Sequence, residues 1–108
     1  GPYCSTQYDR RGHMKHFALM YDVVDRFVDK RTPHREAHLG LVRAAHARGE
    51  LVLAGALGDP PDGALLVFRA DHADVAERFA RADPYVMQGL VTGWRVRPWN
   101  VVVGDGAA

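Results

Sequence analysis

Cysteine is nearly missing from this sequence: Cys4 is the one thiol in 108 residues. An internal disulfide is therefore excluded, and so is a cysteine-based metal cluster. An excess of one charge is missing too, since 14 Lys and Arg stand against 13 Asp and Glu, a formal net charge of +1. That balance argues against a nucleic-acid partner, which calls for a basic stripe. No run of like charge is long enough for an interaction tail, and no apolar run is long enough to span a membrane. Gly55 and Gly58 form no phosphate loop, because no lysine and no G-x-G-x-x-G leads from a strand into a helix. No secretory leader is visible, so a cytoplasmic location is expected.

What remains is the make-up of a folded domain, 47% hydrophobic and 25% charged. A chain of this length suits one domain with a modest core, which a homodimer would help to stabilise. Gly1-Pro2 and Gly12-His13-Met14 read as a cleavage scar and a cloning junction around a polar, aperiodic segment. Residues 1–13 are accordingly expected to be an expression-tag remnant, disordered and outside the fold. Setting them aside removes Arg10, Arg11 and Asp9 and leaves the two signs of charge equal. Residues 14–103 are expected to form the single domain, with 104–108 a frayed tail.

Along that domain, residues 16–22 are apolar and rich in strand formers, which predicts a first strand. Residues 23–31 are charged and irregular and read as a loop with at most a helical turn. Thr32-Pro33 is a helix-start signal, a hydroxyl at the N-cap with proline at N1, and Glu36 favours the helix dipole. The helix runs to about Arg48 and stops at Gly49. Leu51 to Leu57 and Ala64 to Phe68 read as two strands of a hairpin around the Gly58–Gly63 turn cluster. A second helix carries Val75, Ala76, Phe79 and Ala80, with Asp71 or Asp74 to cap it, and ends at Asp83-Pro84. Trp94 to Val103 reads as a last strand, and Pro98 within it points to a sheet edge or a bulge. The order is βαββαβ, an α+β, ferredoxin-like pattern with an antiparallel sheet and both helices on one face. A second copy of the chain is the economical cover for the other face.

A few side chains carry chemistry. His38 shares its helix stripe with Leu41, Val42 and Ala45, so it faces the sheet. It is either a satisfied, half-buried histidine or a general base, for which this residue type is suited. Asp83 before Pro84 can cap the next turn. Arg35, one turn before His38, can hold an anionic substrate group or pair with a surface acid. Tyr85, Trp94 and Trp99 read as core or dimer-contact aromatics, with a stacking wall for a planar substrate as the second reading. His34 and His38 have the i, i+4 spacing of a metal pair, but no acidic residue lies at a matching inward position, so no metal site is expected.

Several of these residues occur together in a pattern. Arg35-x-x-His38-Leu39 is followed by Gly49-Glu50-Leu51, Ala54-Gly55-Ala56-Leu57 and Gly63 to Phe68. Ala82-Asp83-Pro84-Tyr85-Val86, Gly89-Leu90 and Val96-x-Pro98-Trp99 complete it. In this order and spacing the set resembles the YciI-like (YCII-related) family over roughly residues 14–103. The Asp-Pro-Tyr-Val segment with the downstream Pro-Trp is its most specific part. The sequence departs at Ala56-Leu57-Gly58, where a proline often follows the glycine.

The resemblance implies a dimeric α+β barrel, a pocket between the first helix and the sheet, and a catalytic histidine and aspartate carried by His38 and Asp83. One group that it resembles eliminates HCl from chlorinated hydroxyquinol-type rings. The expected function is thus a small cofactor-free enzyme, a lyase or isomerase acting on a small cyclic or phenolic substrate. His38 would be the base, Asp83 would orient it, and Arg35 and Tyr85 would contact the substrate. The rival is a non-catalytic binding or accessory protein of a biosynthetic or catabolic pathway that uses the same pocket.

Overall fold

A computed structural model describes residues 15–105 and 107. The segment 1–13, read above as a tag remnant and containing Cys4, lies outside them, as do Gly106 and Ala108 of the tail. Strand β1 (Lys15–Val23) alternates cleanly, with Phe17, Leu19 and Tyr21 buried on one face. Strands β2 (Leu51–Leu57), β3 (Gly63–Ala70) and β4 (Val91–Trp99) complete a four-stranded sheet in the order β2-β3-β1-β4. Every pairing is antiparallel. With the helices α1 (Phe27–Lys30), α2 (Arg35–Ala47), α3 (Asp74–Ala82) and α4 (Pro84–Met87), this is the ferredoxin-like α+β arrangement that the pattern of elements predicts.

The core lies between one sheet face and the helices. Leu19 is flanked in register by Leu66 and Val96, Phe17 faces Phe68, and Ala45, Ala76, Phe79 and Ala80 close over them. Burial of these apolar side chains is the main source of stability. Helix α2 ends where expected, because Gly49 takes φ 82, a left-handed conformation that only glycine adopts without strain. No helix among the described residues is long and apolar enough to cross a membrane.

Local details depart from expectation. The Thr32 hydroxyl caps nothing: Thr32–His34 form a single 3₁₀ turn ahead of α2, and neither flanking cap residue uses its side chain. Asp71 and Asp74 do not cap α3 either, because Ala73 occupies the N-cap and Asp74 is already in the first turn, where its charge suits the helix dipole. Strand β4 starts earlier and stops earlier than predicted. It enters through Val91, paired with Val23 across a bulge, and ends at Trp99 opposite His16. Pro98 sits on this edge strand, one of the places in a sheet that tolerate proline. Trp94 is not an outward aromatic. It is in register with Tyr21 on the core face and lies under the Arg81 guanidinium, leaving Trp99 as the outward-facing tryptophan of β4.

Candidate functional site

Asp83 is where the site begins. It stands between α3 and α4 with extended backbone, so α3 stops there and a new turn starts at Pro84. Its side chain is wholly buried. Burial of a carboxylate is tolerable only when its oxygens are satisfied, and here three donors converge on it. The Tyr85 backbone N–H donates to Oδ1 at 3.0 Å, the N-cap bond of α4. The Tyr21 hydroxyl donates to Oδ2 at 2.8 Å. His38 Nδ1 lies 2.9 Å from Oδ1 and 3.0 Å from Oδ2.

This arrangement fixes the histidine tautomer. A carboxylate only accepts, so Nδ1 is a nitrogen that carries a proton, and in the neutral ring the lone pair is then on Nε2. The ring is held flat as well: the Tyr85 phenol stacks on it with centroids 3.9 Å apart and planes 10° apart. Phe27 meets the Tyr85 ring edge-on at 5.3 Å and buttresses the stack. Burial, with the Asp83 charge adding to it, pushes the Tyr21 phenol far above its ordinary value, so it stays a hydrogen-bond donor.

His38 opens onto a cavity of about 280 Å³ between α2 and the β2 end of the sheet. The volume is near the lower end for small-molecule sites. Its floor is Tyr21, Ala64 and Leu66, one wall is His38, Leu39 and Val42 of α2, and the opposite wall is Ala54, Gly55 and Ala56 of β2. Ala54 and Ala56 share the inner sheet face with Leu66 and Ala64. The cavity exists because methyl groups stand at these positions, where longer side chains would fill the space. Pro61, from the turn after β2, forms part of the rim, and Arg31 and Arg35 also line the cavity.

The structure therefore brings His38, Asp83, Tyr85 and Arg35 together. It does so with one difference from expectation. Only His38 of the pair faces the cavity, and Asp83 is sealed behind it. Tyr21, Phe27 and Arg31 were not singled out from the sequence. The alternation Phe17, Leu19, Tyr21 placed Tyr21 inward, but nothing local announced its partner 62 residues away. Among the described residues no three His, Cys, Asp or Glu side chains gather as metal ligands.

A family model for the YCII-related domain matches residues 14–100. The chain belongs to the YCII-related family. Among solved structures, it is similar to 5-chloro-2-hydroxyhydroquinone dehydrochlorinase (TftG) from Burkholderia phenoliruptrix AC1100, in complex with 2,5-dihydroxybenzoquinone. The TM-score is 0.65 at 21% identity, over 78% of this chain and 92% of that one. At that identity the likeness shows the shared fold of a YCII-related domain. A nipsnap family protein of unknown function from Agrobacterium tumefaciens is similar at TM-score 0.49 and 19% identity, over 86% of this chain and 91% of that one. No curated protein matches.

Proposed function

We propose that this YCII-related protein is a lyase or isomerase that moves a proton on a small cyclic or phenolic compound, with His38 as general base. The observation that carries the reading is the Asp83 carboxylate on His38 Nδ1, which directs the basic Nε2 at the cavity. In an elimination, Nε2 takes a proton from a hydroxyl or from a carbon beside a ring carbonyl. The freed electron pair forms the new double bond, and a leaving group such as chloride departs with the pair of its own bond from a saturated ring carbon. In a chlorinated hydroxyquinol that is the carbon protonated in the keto tautomer. In an isomerisation the same imidazolium returns the proton to another ring atom. The residues of the site suffice for this chemistry, since a ring carbonyl can carry the developing charge. The dehydrochlorinase that shares the fold supports the substrate class.

We further take the working unit as a homodimer. Leu53, Leu57 and Trp99 are exposed at 69%, 46% and 46%, and the pairing register places Leu53, Leu57, Trp99, Met20 and Leu65 on the sheet face opposite the helices. Arg69, Arg95 and Arg97 lie on the same face, and its apolar side chains are a surface for a self-complementary partner.

The test is chloride release from 5-chloro-2-hydroxyhydroquinone together with deuterium uptake into cyclic 1,3-diketones in heavy water. His38→Ala should abolish both while leaving the circular dichroism spectrum intact. Asp83→Asn keeps one acceptor oxygen within reach of His38 Nδ1–H but removes the charge, so activity should fall less than in His38→Ala. Wild-type rates in His38→Ala would remove the histidine from the chemistry. An inert wild-type protein that still binds such rings would leave the accessory-protein reading in its place.

A further inference from the structure

Arg31 and Arg35 are four residues apart, bridged by the 3₁₀ turn, and both line the cavity that His38 faces. Elsewhere on the surface Arg26, Arg48 and Arg78 each pair with a carboxylate. Among the described residues Arg31 and Arg35 pair with none, as is also true of Arg43, Arg69, Arg81, Arg95 and Arg97, but these two are the arginines that line the cavity, and Arg31 is steadied over the Phe27 ring at 5.4 Å. Unpaired arginines alone would mean little on a surface. The second observation is independent of them. Tyr85 is 3% exposed, lines the same cavity, and has a buried hydroxyl with no hydrogen-bond partner. Buried polar groups are rarely left so, because an unmade bond there costs stability. Burial raises the Tyr85 phenol above its ordinary value, and the Arg35 and Arg31 charges pull against that rise, so both guanidinium groups act on the same hydroxyl. Arg35 is close to it without forming a well-aligned bond.

Two guanidinium groups and a phenol that can donate thus gather in one part of the wall with no carboxylate among them. A guanidinium fork matches a carboxylate in two parallel bonds, and a phenol can add a third. A phosphate is the poorer fit, since the wall offers no glycine-rich turn or cradle of backbone N–H groups. The small cavity holds one ring and a planar substituent.

We infer that the ligand of this site is a small ring compound bearing a carboxylate, which Arg31, Arg35 and the Tyr85 hydroxyl grip while the ring lies against His38. The inference deepens the proposed function and rests on it only for what happens at the His38 end.

The experiment compares 2,5-dihydroxybenzoate with neutral 2,5-dihydroxybenzamide by isothermal titration, so that no turnover is needed. The benzoate should bind at least about tenfold more tightly. Arg31→Gln, Arg35→Gln and Tyr85→Phe should each weaken the benzoate about tenfold while leaving the benzamide unchanged. Tyr85→Phe keeps the stacked ring and deletes an unsatisfied hydroxyl, so the unliganded protein should not melt lower. His38→Ala should keep the preference for the benzoate. If that preference holds while no proton transfer is found, the carboxylate site stands without the enzyme reading. If proton transfer is found and the preference is missing, the enzyme reading stands alone. Equal affinity for the two compounds, no binding of the benzoate at millimolar concentration, or an unaltered preference in Arg31→Gln would overturn the inference.

Discussion

Replacing Tyr21 with phenylalanine removes a single oxygen from behind the site and should be felt in two ways. The ring remains packed in the core, but Asp83, wholly buried, loses the donor 2.8 Å from Oδ2. A hydrogen bond to a buried charged group contributes about 1.5–3 kcal/mol. A loss of about 2 kcal/mol lowers the melting temperature of a domain this size by about 8–16 °C. The second effect is in pH. The folded-state pKa of Tyr21 is raised above the ordinary 10.0, so its contribution is fully present below pH 10 and fades as pH rises beyond it. Above that point the unfolded phenol ionises while the folded one does not. By pH 11 this costs the wild type about 1.4 kcal/mol, which the phenylalanine variant does not lose. The gap between the two proteins, measured by urea unfolding at pH 8 and pH 11, should therefore shrink from about 2 to about 0.6 kcal/mol. A gap below about 0.5 kcal/mol at pH 8 would refute the claim that Asp83 depends on this hydroxyl. A gap that is the same at both pH values would refute the claim that Tyr21 stays protonated.

The remaining predictions concern the cavity and the outer sheet face. Ala56→Leu projects a larger side chain into the cavity from a strand with few core contacts, so stability should change by less than about 0.5 kcal/mol while 2,5-dihydroxybenzoate no longer titrates. Retained binding would move the ligand site elsewhere. Light scattering at micromolar concentration should give twice the chain mass, and Leu53→Lys, which puts a charge on the outward face, should halve it. A monomer mass for the unmodified protein would show that the outer face is simply wet.

The parts of the fold that the sequence discloses are those set by local rules. Strand β2 keeps its expected limits because Gly49 and the Gly58–Gly63 cluster bracket it. Pro84 after Asp83 marks a helix stop and a helix start at once. The features that escaped are set by distant partners. Thr32 has the chemistry of a cap but is drawn into a 3₁₀ turn, and that turn is what carries Arg31 and Arg35 to the same cavity. The extent of β4 depends on where β1 offers partners, which β4's own residues do not record. Of the site, His38 and Asp83 could be named through a family resemblance, Arg35 from its place one turn before His38, and Tyr85 as an aromatic beside Asp83. Tyr21 could not, because an inward tyrosine on a strand reads as core until the carboxylate beside it is known.

The division of labour in the cavity walls bears on how such a protein changes over time. Asp83 starts α4, takes the Tyr21 hydroxyl and holds His38, so a replacement there disturbs three contacts at once. The facing wall is under no such constraint: Ala54, Gly55 and Ala56 lie on an edge strand, exposed, and their side chains hold up little else. New compounds can therefore be admitted by rewriting β2 and the following turn, one small residue at a time, while the His38–Asp83 end is left unchanged. A lineage built on this plan would diversify in what it accepts faster than in what it does.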